Sequence, residues 1–168
     1  MASGSFRFDG INRLYEQLEN ADSVVEEFIN ACAKELAARL LAKVIKRTPV
    51  GDYSGESYSC ASGQTHKGSK VTGKVGGTLR RGWTAGTNQG AKSYAQSLQV
   101  HHFGGHYVIE ITNPIEYASY VEFGHRTANH SGWVEGHFML TISEQEVQAA
   151  SPAILERRLQ QKLGELFT

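Results

Sequence analysis

Residues 111–127 read Ile-Thr-Asn-Pro-Ile-Glu-Tyr-Ala-Ser-Tyr-Val-Glu-Phe-Gly-His-Arg-Thr. A strand end at Ile111-Thr112 runs into Asn113-Pro114, where the proline ring keeps its predecessor out of the helical region and favours a turn. Tyr117, Tyr120 and Phe123 then recur every third residue, so they share one side of a short helical turn. Gly124 is the natural stop. The stretch offers no nucleophile, oxyanion hole or phosphate loop. It reads as a docking element, with Glu122, His125 and Arg126 as its polar rim; the alternative is that the three rings are simply core.

Upstream, one helix is unambiguous. Asp22 or Ser23 is the expected cap, with Ser23 and Glu26 spaced as a capping box. Val25, Phe28, Ile29, Cys32, Leu36, Leu40 and Val44 form one apolar stripe of helical period. Glu26 and Glu27 come early, and Lys43, Lys46 and Arg47 come late, as the helix dipole favours. Pro49 stops it. A shorter apolar pattern at Ile11, Leu14, Tyr15 and Leu18 predicts a packing helix over residues 10–20, behind an arm at 1–9. Residues 50–77 are glycine-rich and loop-like, long enough to suggest a functional insertion.

Strands are expected over 79–85, and over 97–103 and 106–112 as a hairpin around Gly104-Gly105. Tyr107, Ile109 and Ile111 alternate onto one face of the latter. Two helices are expected to close the chain, one over 135–150 and one opening at Ser151-Pro152. The fold class is α+β: a long N-terminal helix on a small, mostly antiparallel sheet, with C-terminal helices and a long Gly-rich loop. The domain reading is an arm and short helix at 1–22, a single core at 23–150 carrying the 50–77 insertion, and a C-terminal helix at 151–168.

Composition excludes little but bounds much. With 168 residues, 40% apolar, 20% charged and no formal net charge, the chain suits one globular domain and has no general attraction to nucleic acid or anionic membrane. Two cysteines, Cys32 and Cys60, make no disulfide framework and are expected as thiols in a reducing cytoplasm. Neither an apolar leader nor an 18-residue apolar run is present, so no signal peptide or membrane contact is expected.

Candidate chemistry is sparse. His101, His102, Asn113 and His125 invite a His-Asn-His nuclease reading, but the supporting ligands are missing, and His101 and His102 alternate across a strand. His125, His130 and His137 have no standard zinc spacing. Glu144 and Glu146 do not face each other on a helix. No catalytic, metal or cofactor site is therefore expected. One charge feature stands out. No acid occurs between Glu56 and Glu110, while Lys67, Lys70, Lys74, Arg80, Arg81 and Lys92 do. These cations, Lys92 aside, are candidates for a channel or an acidic partner, or for DNA that slides past phosphate-binding side chains; a solvated basic loop is the plain alternative.

Three segments together resemble a known family. The Tyr-Ala-Ser-Tyr-Val-Glu-Phe-Gly run at 117–124, the block Thr48-Pro49-Val50 resumed as Gly77-Thr78-Leu79-Arg80-Arg81-Gly82-Trp83, and the segment Trp133 to Glu146 are similar, in this order, to the small tail-completion and head–tail joining proteins of long-tailed bacteriophages. In that family the second block is continuous; here about 25 residues split it. The resemblance implies a non-enzymatic virion protein of the neck, assembled in the bacterial host's cytoplasm. It would work as a homo-oligomeric ring, six copies being the expectation. The ring would lie between head-closure or connector proteins and the tail tube or its terminator, with DNA passing non-specifically through the lumen. Tyr117, Tyr120, Glu122, Phe123, His125, Arg126 and Trp133 are then the expected subunit contacts. Alternatives are a tail terminator that caps the tube and, from another class, a DNA-binding or nuclease accessory protein.

Overall fold

The computed structural model describes residues 21–51, 53, 57–59, 65–67, 76–87 and 89–166; the expected arm and short helix over 1–20, and most of the insertion, lie outside the described residues. The first element, α1, spans Ala21–Arg47, about 40 Å at 1.5 Å per residue. The helix is already formed at Ala21, so Ser23 sits inside it rather than capping it. It ends where expected. Thr48 N donates to Val44 O at 2.9 Å, and Pro49 cannot continue the ladder.

Thr48 is fully buried and joins the two halves of the split block. Its hydroxyl donates to Val44 O and accepts from Trp83 Nε1 at 2.8 Å, while its carbonyl oxygen accepts from Arg80 Nη2 at 2.7 Å. Gly76 lies so close to Gly51 that a Cβ there would collide with the Gly51 carbonyl. The chain therefore returns to its point of departure across the insertion, whose paired segments are β1 (Ser57–Ser59) and β2 (Thr65–Lys67).

The strand expected over 79–85 is instead α2, Thr78–Gly82, followed by turns. Leu79 and Trp83 are both buried, and their i, i+4 spacing puts them on one helical face. The strand reading overlooked that spacing. Gly82 must be glycine, because a Cβ would strike Asn113 and Ile115. A further short helix, α3 (Ala91–Ser97), was not expected; Ala91, Tyr94, Ala95 and Leu98 pack it against the core beside α1.

The Gly104-Gly105 hairpin is present. β3 (His101–Phe103) pairs antiparallel with β4 (His106–Val108), and both glycines have positive φ, the geometry of a tight primed turn. The ladder is shorter than expected, yet Tyr107, Ile109 and Ile111 are still the more buried face. Asn113 folds back as expected of a turn residue: its Oδ1 accepts from Ile115 N, and its Nδ2 donates to Leu79 O at 2.9 Å. The short aromatic helix follows as α4, Ala118–Phe123, closed by Gly124 at φ 86°. Next come β5 (Gly124–Arg126) and β6 (Trp133–Glu135), an antiparallel pair that the sequence reading missed.

In place of two closing helices there is one, α5, Met139–Leu166, with Pro152 inside it. Proline at 152 cannot donate to Gln148 O, but Ser151 Oγ does so at 2.9 Å. Both halves of α5 are also tied to α1. Glu146 pairs with Lys43 and Arg47, and Arg158 pairs with Glu35. Hydrogen bonds from Arg39 and Arg158 hold the Glu35 carboxyl below its usual range. The strong start signal at Ser151-Pro152 is thus overridden by packing on both sides of it.

The class is α+β and mostly helical. Among the described residues the strands form three separate two-stranded antiparallel ladders, and α1 packs against β4 of the hairpin. The core lies among Ala37, Leu41, Val44, Leu79, Trp83, Ala95 and Met139. The start of α5 depends on Glu122. Its carboxylate accepts from Leu140 N, Thr141 N and Thr141 Oγ1 at 2.8–2.9 Å, satisfying first-turn donors that would otherwise be orphaned. Replacing Glu122 with alanine removes three charge-assisted bonds and is expected to cost about 2–4 kcal/mol, read by urea unfolding. Glu122→Gln, which keeps an acceptor, should cost roughly half as much.

Candidate functional site

Glu122 also sets the geometry of the most exposed aromatic surface. It is buried, with 5% of its surface accessible, because α5 begins directly against it. The backbone on either side is locked as well. His137 N donates to Val121 O, and Phe138 N donates to Glu122 O. Gly136 and Gly124 allow this crossing; a Cβ on Gly136 would meet Glu122 O, and one on Gly124 would meet Val134 O. Phe138 itself sits at φ 46°, a conformation that bulky residues rarely adopt.

With α4 pinned by its acidic residue, its rings turn outward. Tyr120, Phe123 and Trp133 are 59%, 61% and 60% exposed, and Tyr117 is exposed too. Packing does not account for these rings, so the core reading of 117–123 does not hold. Tyr120 tilts against His125 with ring centroids 5.8 Å apart. In the β5–β6 ladder Arg126 lies opposite Trp133. A cleft of about 470 Å³ opens beside them, lined by Tyr117, Tyr120 and His125 on one wall and by Pro49, Val50 and Tyr53 on another.

Tyr117, Tyr120 and His125 share the cleft; Phe123 borders a separate recess beside Trp83 and Met139, and Arg126 and Trp133 are exposed partners across the β5–β6 ladder. Together these exposed residues of α4, β5 and β6, most of the expected contacts, make up an aromatic platform. Glu122 is the exception. It is not a rim residue but the buried cap of α5. Val134, also exposed, lines the cleft and was not picked out from sequence; Phe138, read as an apolar position of the helix expected over 135–150, is exposed as well.

The basic candidates fare differently. Arg80 is half-buried and committed to Thr48 O, so it does not face a channel. Arg81 is exposed, with long contacts to Gly76 O and Thr78 Oγ1. Lys67 belongs to β2, where only the backbone is described, and Lys70 and Lys74 lie outside the described residues.

Among the described residues the side chains named for other chemistries are engaged as follows. Both polar atoms of the Asn113 side chain are used within its own turn and by Leu79 O. His102 stacks on Tyr107 with centroids 4.5 Å apart. Among the described residues no group of three or more His, Cys, Asp or Glu is placed to hold a metal ion, so His125, His130 and His137 do not converge. Among those residues, too, no helix is long and apolar enough to cross a membrane.

No curated protein and no solved structure matches the chain. A family model described as "Bacteriophage HK97-gp10, putative tail-component" matches residues 12–124. That range runs from before α1 through the split block to the end of the aromatic helix, well over half of the molecule. The chain belongs to this HK97-gp10-like family of bacteriophage tail components.

Proposed function

We propose that the chain is a structural subunit of the phage neck, completing the tail or joining it to the head, and that it acts as a ring of identical copies, six in number. The observation that carries this reading is the aromatic platform. Tyr120, Phe123 and Trp133 expose most of their surface on backbone fixed by Glu122, Gly124 and Gly136. Monomeric proteins seldom present such a patch without a partner for it, and rigid aromatic anchors bind at low cost in conformational entropy. A ring contact is heterologous, so the platform would meet a different face of the neighbouring copy. The cleft between the platform and Pro49–Tyr53 offers a recess for the neighbour's side chains. Connector and tail-tube proteins would stack above and below, and the virion tail is where the protein would reside. No step in this role requires bond chemistry, and enzymatic activity is not part of the proposal.

The lumen would be lined by the basic segment, with Arg81 and the lysines at 67, 70 and 74 meeting DNA phosphates without regard to sequence. Arg80, being engaged with Thr48, is left out.

Native mass spectrometry of the purified protein tests the ring. Wild type is expected to populate a closed oligomer, and Phe123→Asp with Trp133→Asp is expected to give monomer of unchanged circular dichroism. Particles complemented with that variant should separate into tailless heads and free tails; normal virions would count against the neck role. For the lumen, Lys67→Gln, Lys70→Gln and Lys74→Gln should each lower the slope of log affinity against log salt by about 0.9 in gel retardation, and an unchanged slope would remove these residues from any DNA contact.

A further inference from the structure

The β3–β4 hairpin presents two unlike faces. Paired residues of an antiparallel ladder share a face and alternate along it. The register therefore sets His102 and Tyr107 on one face, and His101, Phe103, His106 and Val108 on the other. The first face is held. His102 stacks on Tyr107, and Tyr107, Ile109 and Ile111 line a groove with Leu36 and Leu40 of α1. The second face is bare, with all four residues exposed. Phe103, beside the Gly104-Gly105 turn, is 66% accessible, the most exposed large apolar side chain among the described residues. Its ring stacks on the His101 imidazole with centroids 6.0 Å apart. The hairpin is thus a braced apolar knob rimmed by imidazoles.

We propose that this face of the hairpin is the second contact surface of the ring, and that Phe103 of one copy enters the cleft beside the aromatic platform of the next. The inference rests on the ring reading above and adds which face meets the platform. Three observations select this occupant. The first is shape. Phe103 projects from a two-residue turn, and the cleft of about 470 Å³ offers Val50, Tyr117, Tyr120 and Val134 to an incoming ring. The second is charge. Among the residues lining the cleft Glu135 alone carries a full charge at neutral pH, its other basic groups being His125 and His137. Glu135 is exposed, and among the described residues no cation pairs with it. The hairpin brings no acid, since none occurs between Glu56 and Glu110. Its His101 and His106 share the bare face with Phe103, and an imidazole N–H from either donates to the Glu135 carboxylate. The third is separation. Ile111 shares a recess with Phe123 at the platform end, and the chain leads back about 17 Å from there to His106 at the turn. With the inner face of the hairpin held on α1, a copy does not reach its own cleft. The neighbour's hairpin does, and the contact is heterologous, as a ring requires.

Photo-crosslinking in the full chain tests the contact. Phe103→p-benzoylphenylalanine keeps an aromatic knob, and mixing isotope-labelled with unlabelled copies separates links between copies from links within one. Irradiation should join position 103 to residues 49–53, 117–125 or 133–137 of another copy. A closed oligomer whose links fall elsewhere, within one copy, or nowhere overturns this inference and leaves the ring standing; a protein that is monomeric throughout overturns both. Independently, Phe103→Ser and Glu135→Lys should each raise the subunit concentration at which the oligomer half-dissociates by about tenfold or more, with circular dichroism and thermal unfolding of the monomer unchanged, and Phe103→Leu should restore most of the loss. Unchanged dissociation in either of the first two variants overturns the inference as well.

Discussion

A single buried carboxylate organises the aromatic end of this molecule. Glu122 receives three donors from the first turn of α5, and its own carbonyl receives Phe138 N. Through these bonds a six-residue helix, which has little stability alone, is fastened to a helix of 28 residues. The consequence is geometric. With position 122 turned inward, Tyr120 lies on the opposite side of the turn and Tyr117 and Phe123 lie to its flanks, and all three are exposed. The cap thus fixes which side of α4 faces α5, and Tyr120 is the ring set furthest from it.

The same logic operates at Thr48. One hydroxyl and one carbonyl oxygen collect bonds from Val44, Arg80 and Trp83, and the two ends of the insertion close against each other at Gly51 and Gly76. A family block that is interrupted in sequence is thus continuous in space. That continuity explains how the insertion can be present without disturbing the core, since the backbone enters and leaves it at one point. It also places one wall of the cleft, Pro49 to Tyr53, directly across from the aromatic platform.

What could be read from sequence followed from local signals. The period of α1, its stop before Pro49, the Gly104-Gly105 turn and the aromatic helix closed by Gly124 all rest on residues within a few positions of one another. The failures share a cause in the other direction. The start of α5 was misplaced because its cap, Glu122, sits 18 residues before the Leu140 amide it serves; in sequence that glutamate looks like the polar edge of an aromatic run. Ser151-Pro152 carries a local start signal, but the helix runs through it because the lost bond is repaired by Ser151 and the flanking turns are held by α1. The strand expected over 79–85 failed because the helical evidence there is one i, i+4 pair, Leu79 and Trp83, too little to outweigh the strand reading. Arg80 looked like a free cation because nothing local reveals its attachment to Thr48. The platform itself was legible as a cluster of aromatics, but its exposure was not, since exposure depends on which side α5 takes.

The central claim is that a platform already built in the free subunit becomes buried in the tail. Hydrogen-exchange mass spectrometry of the free protein and of intact particles compares the two states directly. The account predicts that amides of 118–126 and 133–141 exchange slowly even in the free chain, and that peptides carrying Tyr120, Phe123 and Trp133 gain further protection in the particle. Fast exchange of those amides in the free chain, or protection in the particle confined to other parts of the molecule, would contradict it.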